Sequence, residues 1–527
     1  MNKIYPWFRK NRTLIITLGV LIILFLLALR GLEPKDRVLT TLRGFSLGAI
    51  IFLVASGFSL IFGLMDVLNL AHGTMFMIGA YIGWTVFVRP DTAVDAVTPI
   101  LLLLAGFALL PLMDLLIERL KIPIRWARLW PWFGLIIAIV IFAYVLPKYP
   151  ITAWDVGSYE ISPTNFAFTA SQGTFVAPDP EVFTGISPAV GLGGILLGSF
   201  IAAATLAGFA HYRKYSRTGS TGKTKRGLPR TAITISILAA VTGIFFFIIN
   251  DSLSAFLLGL DNTWLFIIAI IVAALSVAGI GALMETLLIQ PLYATPINQL
   301  LLTLGVAAIG GEIVRTVWGN PAFTMPRPSI FAGTGEGCPA VNIGDLLEFN
   351  CSTISLFGGR IRTYNDIFVI IVGLVILVAV WLLLQRTRLG MIIRAGVQDR
   401  EMVEALGINV RRVFTLVFAL GVSLAALGGV IAAPSMGLSI GMSQSLLISF
   451  LAALAIGGLT SYPGAALGSL IVAMMVQFII KYGQIGINLP FLEEPFKPTP
   501  PLVPAATVLL MVIILLVMPQ GLFGREE

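Results

Sequence analysis

Polar residues interrupt a long apolar run within segment 56–84, and their types could bind a polar ligand. The interrupting residues are Asp66, Asn69, His72 and Gly73. Polar groups at membrane depth cost free energy unless they line a protein cavity or a water-filled path. Broken helices form substrate sites in transporters because their ends leave backbone donors and acceptors unpaired. We predict that this interruption lines a substrate pathway; the alternative is a structural hairpin capped by Asn69 and His72.

A second interruption lies at 457–468, where glycines, a tyrosine and a proline follow an apolar run. Its candidate pathway residues are Ser461, Tyr462, Pro463 and Gly464. Two glycine-interrupted segments in opposite halves are typical of transporters built from inverted repeats. An ordinary tight turn between two helices is the alternative.

The polar loop 386–412 has the pattern of an ordered structure rather than a plain turn. Its apolar residues at roughly helical spacing are Met391, Ile392, Ala395, Met402, Leu406 and Ile408. Gly407 follows the last of the closely spaced apolar residues, where a helix would end in a left-handed cap. The pattern predicts an amphipathic helix over 391–408 that contacts a soluble partner.

Two charged residues lie within one apolar run. Glu312 and Arg315 are three positions apart, so they could form an ion pair on one face of a helix. A contact between Arg315 and a substrate carboxylate is the functional alternative. No cluster of residues suggests a metal site.

The composition indicates an integral membrane protein. The chain is 57% hydrophobic and 11% charged, whereas a soluble domain carries about 25% charged residues. We predict an all-α polytopic membrane protein with about 12–14 transmembrane helices, including broken or re-entrant segments. The net charge of +8 comes from basic loops beside apolar runs, which indicates membrane topology and not nucleic-acid binding.

Hydropathy and loop charge predict the topology. The predicted spans are about 14–29, 44–64, 74–88, 99–118, 131–147, 187–210, 231–249, 263–288, 298–317, 366–384, 413–433, 444–459, 464–480 and 502–518. A cytoplasmic N-terminus places the basic loops 211–230 and 385–412 inside, as the positive-inside rule requires. The C-terminus is then also cytoplasmic.

Both cysteines of the chain, Cys338 and Cys351, fall in one predicted outside loop, 318–364. An oxidising compartment permits a disulfide there without requiring it. Two unpaired cysteines are the alternative.

Four motifs together carry a family resemblance. They are Asn69-Leu70-Ala71-His72-Gly73 with Gly79-Ala80-Tyr81, then Arg394-Ala395 with Asp399 and Leu406-Gly407-Ile408, then Gly457-Gly458 with Ser461-Tyr462-Pro463-Gly464-Ala465, and finally Val517-Met518-Pro519-Gln520-Gly521-Leu522-Phe523-Gly524-Arg525. In this order they resemble the ABC transporter permeases for branched-chain amino acids. The resemblance covers about 44–90 and 263–527.

The resemblance implies an importer subunit in the cytoplasmic membrane of a prokaryote. Such permeases have an inverted-repeat core and pass a small polar solute inward by alternating access, from an extracytoplasmic binding protein. They pair with a second permease subunit, identical or paralogous, and dock on ATPase subunits. The docking residues would be Arg394, Ala395, Asp399, Glu401, Glu404, Leu406 and Gly407. The chain contains no GxxxxGK[ST] loop, so we expect no enzymatic activity and no cofactor on it, with ATP and Mg²⁺ on the partner subunits.

The chain is longer than is common in this family, and we divide it accordingly. The predicted parts are an extra span and linker at 1–43, a first core part at 44–90, an insertion at 91–262 with about four extra helices, and a second core part at 263–527. An even number of extra spans keeps the flanking core in the same orientation. The basic loop 211–230 could contact anionic membrane lipid or could merely set topology.

Three other functions remain open. A gradient-driven transporter or channel would need buried ionisable groups along a path, and the chain offers few apart from Asp66, Glu285, Glu312 and Arg315. An ABC permease for urea or short amides would share the same motifs. The third is a membrane subunit that binds a partner and transports nothing. The ordered loop 386–412 favours the ABC permease, because a gradient-driven carrier has no need of it.

Overall fold

The computed structural model describes residues 12–120, 124–151, 185–218, 228–293, 295–320, 322–356, 358–398, 400–487 and 494–524. The helices in chain order are α1 (Arg12–Arg30), α2 (Pro34–Met65), α3 (His72–Val88), α4 (Pro90–Ala108), α5 (Leu110–Leu120), α6 (Ile124–Val145), α7 (Pro188–Thr218), α8 (Arg230–Leu258), α9 (Asn262–Met284), α10 (Pro296–Trp318), α11 (Ile343–Glu348), α12 (Val369–Arg386), α13 (Arg388–Gln398), α14 (Arg400–Ala405), α15 (Val410–Met436), α16 (Met442–Gly457), α17 (Tyr462–Ile485) and α18 (Leu502–Val517). Two π-helical segments, Glu285–Ile289 and Thr363–Phe368, and three 3₁₀ turns, Leu146–Lys148, Gln290–Leu292 and Ser329–Phe331, complete the helical part.

The prediction of an all-α polytopic membrane protein is confirmed. Within the described residues, 11 helical stretches are long and apolar enough to cross a membrane, and α3, α16 and α18 are shorter apolar helices. Each predicted span overlaps one of these stretches. The largest difference in bounds is at α2, which begins at Pro34 and not near 44. Its first turns carry charged residues that hydropathy excludes from a span, and Asp36 there pairs with Lys481 of α17 at 2.8 Å.

The described residues form two compact units. The first lies within Met1–Val88 and Asp261–Glu527, and the second lies within Arg89–Ile161 and Thr174–Leu260. In the first unit, α2 is largely buried, whereas α1 exposes most of its apolar side chains. Small residues allow the close packing of membrane helices. At Gly57 of α2 and Gly421 of α15, a Cβ on either residue would overlap the other's carbonyl oxygen.

The second unit holds its helices together partly through buried polar contacts. Arg89 and Asp91 form a buried ion pair at 2.8 Å. Asn250 of α8 donates a hydrogen bond to Asp95 of α4 at 2.6 Å, and Thr98 donates to the carbonyl oxygen of Gly243 at 3.2 Å. These bonds satisfy polar groups that would otherwise be costly within an apolar bundle.

The loop between α10 and α12 folds into a small cap. It contains α11 and the antiparallel strands β1 (Thr353–Leu356) and β2 (Gly359–Arg362). A disulfide joins Cys338 and Cys351, whose Cα atoms are 5.5 Å apart, so the alternative of two unpaired cysteines does not hold in this structure. The cap packs on the first turns of α2 through an apolar cluster that includes Ile354 and Leu39.

Candidate functional site

The first predicted interruption separates α2 from α3 and spans residues 66–71, which we call the broken segment. α2 ends at Met65, and Asp66 adopts the left-handed conformation with φ 53°. Aspartate tolerates this conformation better than most residues that have a Cβ. The Asp66 side chain is exposed, so it does not join the buried polar groups that follow it in the chain.

Asn69 and His72 are completely buried. The Asn69 side-chain oxygen accepts a hydrogen bond from the Ala71 N–H at 3.1 Å. His72 Nε2 lies 3.0 Å from the carbonyl oxygen of Val54, and its ring packs edge-on against Phe58 and Phe450, with centroid distances of 5.7 and 5.9 Å. Both side chains therefore have one defined polar contact and a fixed orientation.

Each of these two side chains also keeps one polar atom without a partner. Among the described residues, no group hydrogen-bonds to Asn69 Nδ2 or to His72 Nδ1. Buried polar atoms in folded proteins nearly always have a partner, so each exception needs a physical explanation. A bound polar solute or water molecules would supply one.

Thr303 of α10 holds the broken segment in place, and the sequence interpretation missed it. Its hydroxyl accepts a hydrogen bond from the Leu70 N–H at 3.3 Å and lies 3.4 Å from the Leu68 carbonyl oxygen. The only signal in the sequence is a threonine within an apolar run. The Thr303 hydroxyl also lies 3.1 Å from the Leu300 carbonyl oxygen of its own helix, which is the bond that a threonine within a helix commonly makes, so the pattern alone could not identify the contact.

The second interruption separates α16 from α17 and is tightly packed. Gly458 has φ 105°, a conformation that favours glycine. A Cβ on Gly457 would overlap the carbonyl oxygen of Gly464, and a Cβ on Gly464 would overlap that of Gly457. Ser461 caps α17 by accepting a hydrogen bond from the Gly464 N–H at 3.2 Å. The Tyr462 hydroxyl donates to the Leu377 carbonyl oxygen at 3.1 Å.

The end of the chain fills this second interruption. Residues 518–524 form a turn that we call the C-terminal turn. The Leu522 N–H of this turn donates to the Ile456 carbonyl oxygen of α16 at 2.8 Å, and the Phe523 N–H donates to the Gly457 carbonyl oxygen at 3.0 Å. The third and fourth sequence motifs therefore make one structure. Pro463 is exposed at the first turn of α17.

The polar loop folds as α13 and α14, and we call residues 388–408 the coupling segment. It begins before the predicted position 391, and its second helix ends at Ala405. Asp399 lies outside the described residues, as does the side chain of Glu401. Gly407 has φ 81°. The Ile408 N–H donates to the Val403 carbonyl oxygen at 3.4 Å, and the Gly407 N–H donates to the Glu404 carbonyl oxygen at 3.0 Å. These two bonds are those of a Schellman helix end.

The coupling segment has one face in the protein core and one face outside it. Ile393 and Val403 are buried in a cluster with Phe414 of α15. On the other face, 62% of Met391 and 75% of Leu406 are exposed. The other predicted docking residues divide between exposed and half-buried positions: Arg394, Glu404 and Gly407 are exposed, and Ala395 is half-buried. Of the predicted apolar stripe, Ile392, Ala395 and Ile408 pack against this cluster, whereas Met391, Met402 and Leu406 are exposed.

Glu312 and Arg315 form an ion pair at 2.8 Å on α10. Both side chains are about half exposed or more, and such a pair contributes about 0–1 kcal/mol. This pair does not lie on the face of α10 that contacts the broken segment. The contact residue Thr303 is buried, whereas Glu312 is exposed. Within the part of the chain that the structure describes, no group of three or more residues could hold a metal ion.

Comparison with known proteins gives consistent matches. The family described as "Branched-chain amino acid transport system / permease component" matches residues 232–519. The high-affinity branched-chain amino acid transport system permease protein LivH of Salmonella typhimurium (strain LT2) is 27% identical over 280 residues, which are 51% of this chain and 79% of the relative. The corresponding protein BraD of Pseudomonas aeruginosa is 28% identical over 174 residues, 33% of this chain and 52% of the relative.

A sugar permease is also similar. The galactofuranose transporter permease protein YtfT of Escherichia coli (strain K12) is 29% identical over 222 residues, 40% of this chain and 62% of the relative. No solved structure matches the chain. The family match begins at residue 232, so it includes most of α8, which lies within the predicted insertion 91–262.

Proposed function

The chain belongs to the family of permease components of branched-chain amino acid transport systems, and from this premise we propose that it imports an amino acid as the membrane subunit of an ATP-driven ABC transporter. A branched-chain amino acid is the proposed substrate, because two of the relatives above are named for that class. The similarity to a galactofuranose permease makes a direct test of the substrate necessary.

The two-faced coupling segment is the observation that supports this function most. Its inner face is anchored in the core by Ile393 and Val403, and its outer face presents Met391 and Leu406. These two side chains lie outside the membrane-spanning helices, so lipid does not account for their exposure, and exposed apolar groups rimmed by polar residues mark contact sites for partner proteins. A soluble ATPase subunit that binds this outer face could move the whole coupling segment as a rigid body.

The broken segment and the first residue of α3 supply the polar atoms of the proposed pathway. Asn69 Nδ2 can donate a hydrogen bond to a solute. The Val54 carbonyl oxygen can only accept, so His72 Nε2 donates to it, and Nδ1 of the neutral imidazole is left as an acceptor. Neither atom has a partner among the described residues. Alternating access would expose these atoms first to the outside and then to the cytoplasm.

The partners follow from the same proposal. Two ATPase subunits would bind ATP and Mg²⁺, because this chain contains no phosphate-binding GxxxxGK[ST] loop. A second permease subunit would complete the pathway, and an extracytoplasmic binding protein would deliver the solute. Both termini and the coupling segment would lie in the cytoplasm, and the disulfide-linked cap would lie outside.

A charge on the coupling face tests the proposal. Leu406→Asp should lower ATP-driven leucine uptake in proteoliposomes about tenfold and weaken co-purification with the ATPase subunits, because it places a carboxylate in an apolar contact. Leu347→Asp is the matched control, since Leu347 is 66% exposed on α11 of the cap, and it should leave both measurements unchanged.

The same vesicles separate the alternatives. Uptake that follows an ion gradient without ATP would overturn the proposal in favour of a gradient-driven transporter. Competition of leucine uptake by other amino acids, urea and a hexose identifies the substrate class. Equal uptake by the Leu406→Asp and Leu347→Asp variants would contradict the docking role of the coupling segment.

A further inference from the structure

Glu285 is an acidic residue inside the membrane part that the proposed pathway does not use. It follows the last residue of α9, where the backbone widens into the π-helical segment Glu285–Ile289. π-helical turns are rare and occur frequently at functional sites. The residue is completely buried, and it takes part in none of the ion pairs formed by the described residues.

Two hydroxyl groups hold the Glu285 carboxyl group. Tyr293 donates to Oε1, and Thr415 of α15 donates to Oε2 at 2.5 Å. A buried carboxyl group is costly unless hydrogen bonds satisfy it, so losing either hydroxyl leaves a buried acceptor unsatisfied. One carboxyl group therefore ties together the end of α9, the turn after it and the start of α15.

α9 and α15 are also in close contact above this point. A Cβ on Gly281 would overlap the Val422 side chain, so the two helices meet at Gly281 and again at Glu285. An apolar cluster around these contacts includes Met284 of α9 together with Val67 and Ala71 of the broken segment. α9 thus reaches from Glu285 to the proposed pathway.

The coupling segment reaches the same carboxyl group from the other side. The Tyr293 ring packs edge-on against Phe414, with ring centroids 6.1 Å apart. Phe414 lies in the buried cluster that holds Ile393 of α13 and Val403 of α14. A continuous set of contacts therefore runs from the coupling segment through Phe414 and Tyr293 to Glu285.

We propose that the Glu285 carboxyl group is the joint that makes α9 move together with α15 when the coupling segment is displaced. It is a positioning residue: it transmits movement to the broken segment and touches neither solute nor nucleotide. This inference rests on the proposed function, because it requires an ATPase that displaces the coupling segment.

The joint is tested by the amount of ATP hydrolysed per leucine imported by the complete transporter in proteoliposomes. Thr415→Val and Glu285→Gln should each raise that ratio by roughly two- to thirtyfold, the range expected when a coupling contact is lost. Tyr293→Phe should raise it as well, while keeping the ring against Phe414. Thr286→Val is the matched control, since the exposed Thr286 hydroxyl bonds only to backbone carbonyl oxygens of α9, with Ala282 at 2.8 Å, and it should leave the ratio unchanged.

Each outcome decides between explanations. A merely structural role would lower the melting temperature and the yield of the Glu285 and Thr415 variants while leaving the ATP-to-leucine ratio at the wild-type value, and this result would overturn the joint while the proposed function stands. If the Glu285→Gln, Thr415→Val double variant raises the ATP-to-leucine ratio by less than the two single effects combined, the two residues act through one contact, and the joint is supported. Wild-type vesicles without ATP-driven uptake would overturn the proposed function and the joint together.

Discussion

The two interruptions of apolar helix differ in what satisfies their polar groups. At the second one, the C-terminal turn donates two backbone hydrogen bonds, and Ser461 caps the next helix. At the first one, Thr303 satisfies part of the backbone, but Asn69 Nδ2 and His72 Nδ1 have no partner among the described residues. At the second interruption, backbone groups of the C-terminal turn form hydrogen bonds with the end of α16. At the first, two buried side-chain nitrogens have no partner among the described residues.

This difference separates two roles that the sequence pattern could not separate. Paired interruptions in two halves predict two segments along one pathway. Among the described residues, no buried side-chain polar atom of the second interruption lacks a partner, so this turn is suited to fix the angle between two helices. We therefore rank the pathway prediction for Asn69 and His72 above the one for Ser461 and Tyr462.

The largest expected effect concerns the closed interruption. Gly457→Ala should destabilise the protein by about 3 kcal/mol, because the new Cβ meets the backbone of Gly464, which cannot move as a side chain can. The thermal unfolding midpoint in detergent measures this. Gly441→Ala, at the other end of α16 with no atom within 4 Å of the added carbon, is the control. Equal midpoints for the two variants would show that the turn is not closed.

The next effect concerns the open interruption. His72→Ala should lower leucine uptake about tenfold, since a lost hydrogen bond to a buried polar solute is worth on the order of 1–2 kcal/mol, while assembly with the ATPase subunits is unchanged. His211→Ala, at the only other histidine of the chain, should leave uptake at the wild-type level. Normal uptake by the His72 variant would favour the structural hairpin.

Much of the fold could be predicted because its signals are local. Apolar length predicted the spans, and the position of Gly407 after the last closely spaced apolar residues predicted its left-handed conformation. The start of α2 was missed because its charged turns extend beyond the apolar run. In that case, the partner of Asp36 is Lys481, and no local pattern relates two residues so far apart.

The site was harder to predict because its decisive contacts are long-range. The Leu522 and Phe523 backbone closes the turn at Ile456 and Gly457, and Thr415 reaches Glu285 across a separation of 130 residues. The polar loop also shows the limit of periodicity. Spacing identified apolar residues, but which ones face the core and which face outward depends on α15, against which the loop packs.

The smallest effect gives the sharpest test of the comparison. Ser461→Ala removes the cap of α17 and should lower stability by about 1 kcal/mol, with no change in the concentration of leucine that gives half-maximal uptake. Ser445→Ala is the control, because the Ser445 hydroxyl bonds within its own helix to Met442 and its loss should cost less. If Ser461→Ala instead shifts the leucine concentration dependence while stability holds, Ser461 contacts the solute. The second interruption would then belong to the pathway in spite of the C-terminal turn that fills it.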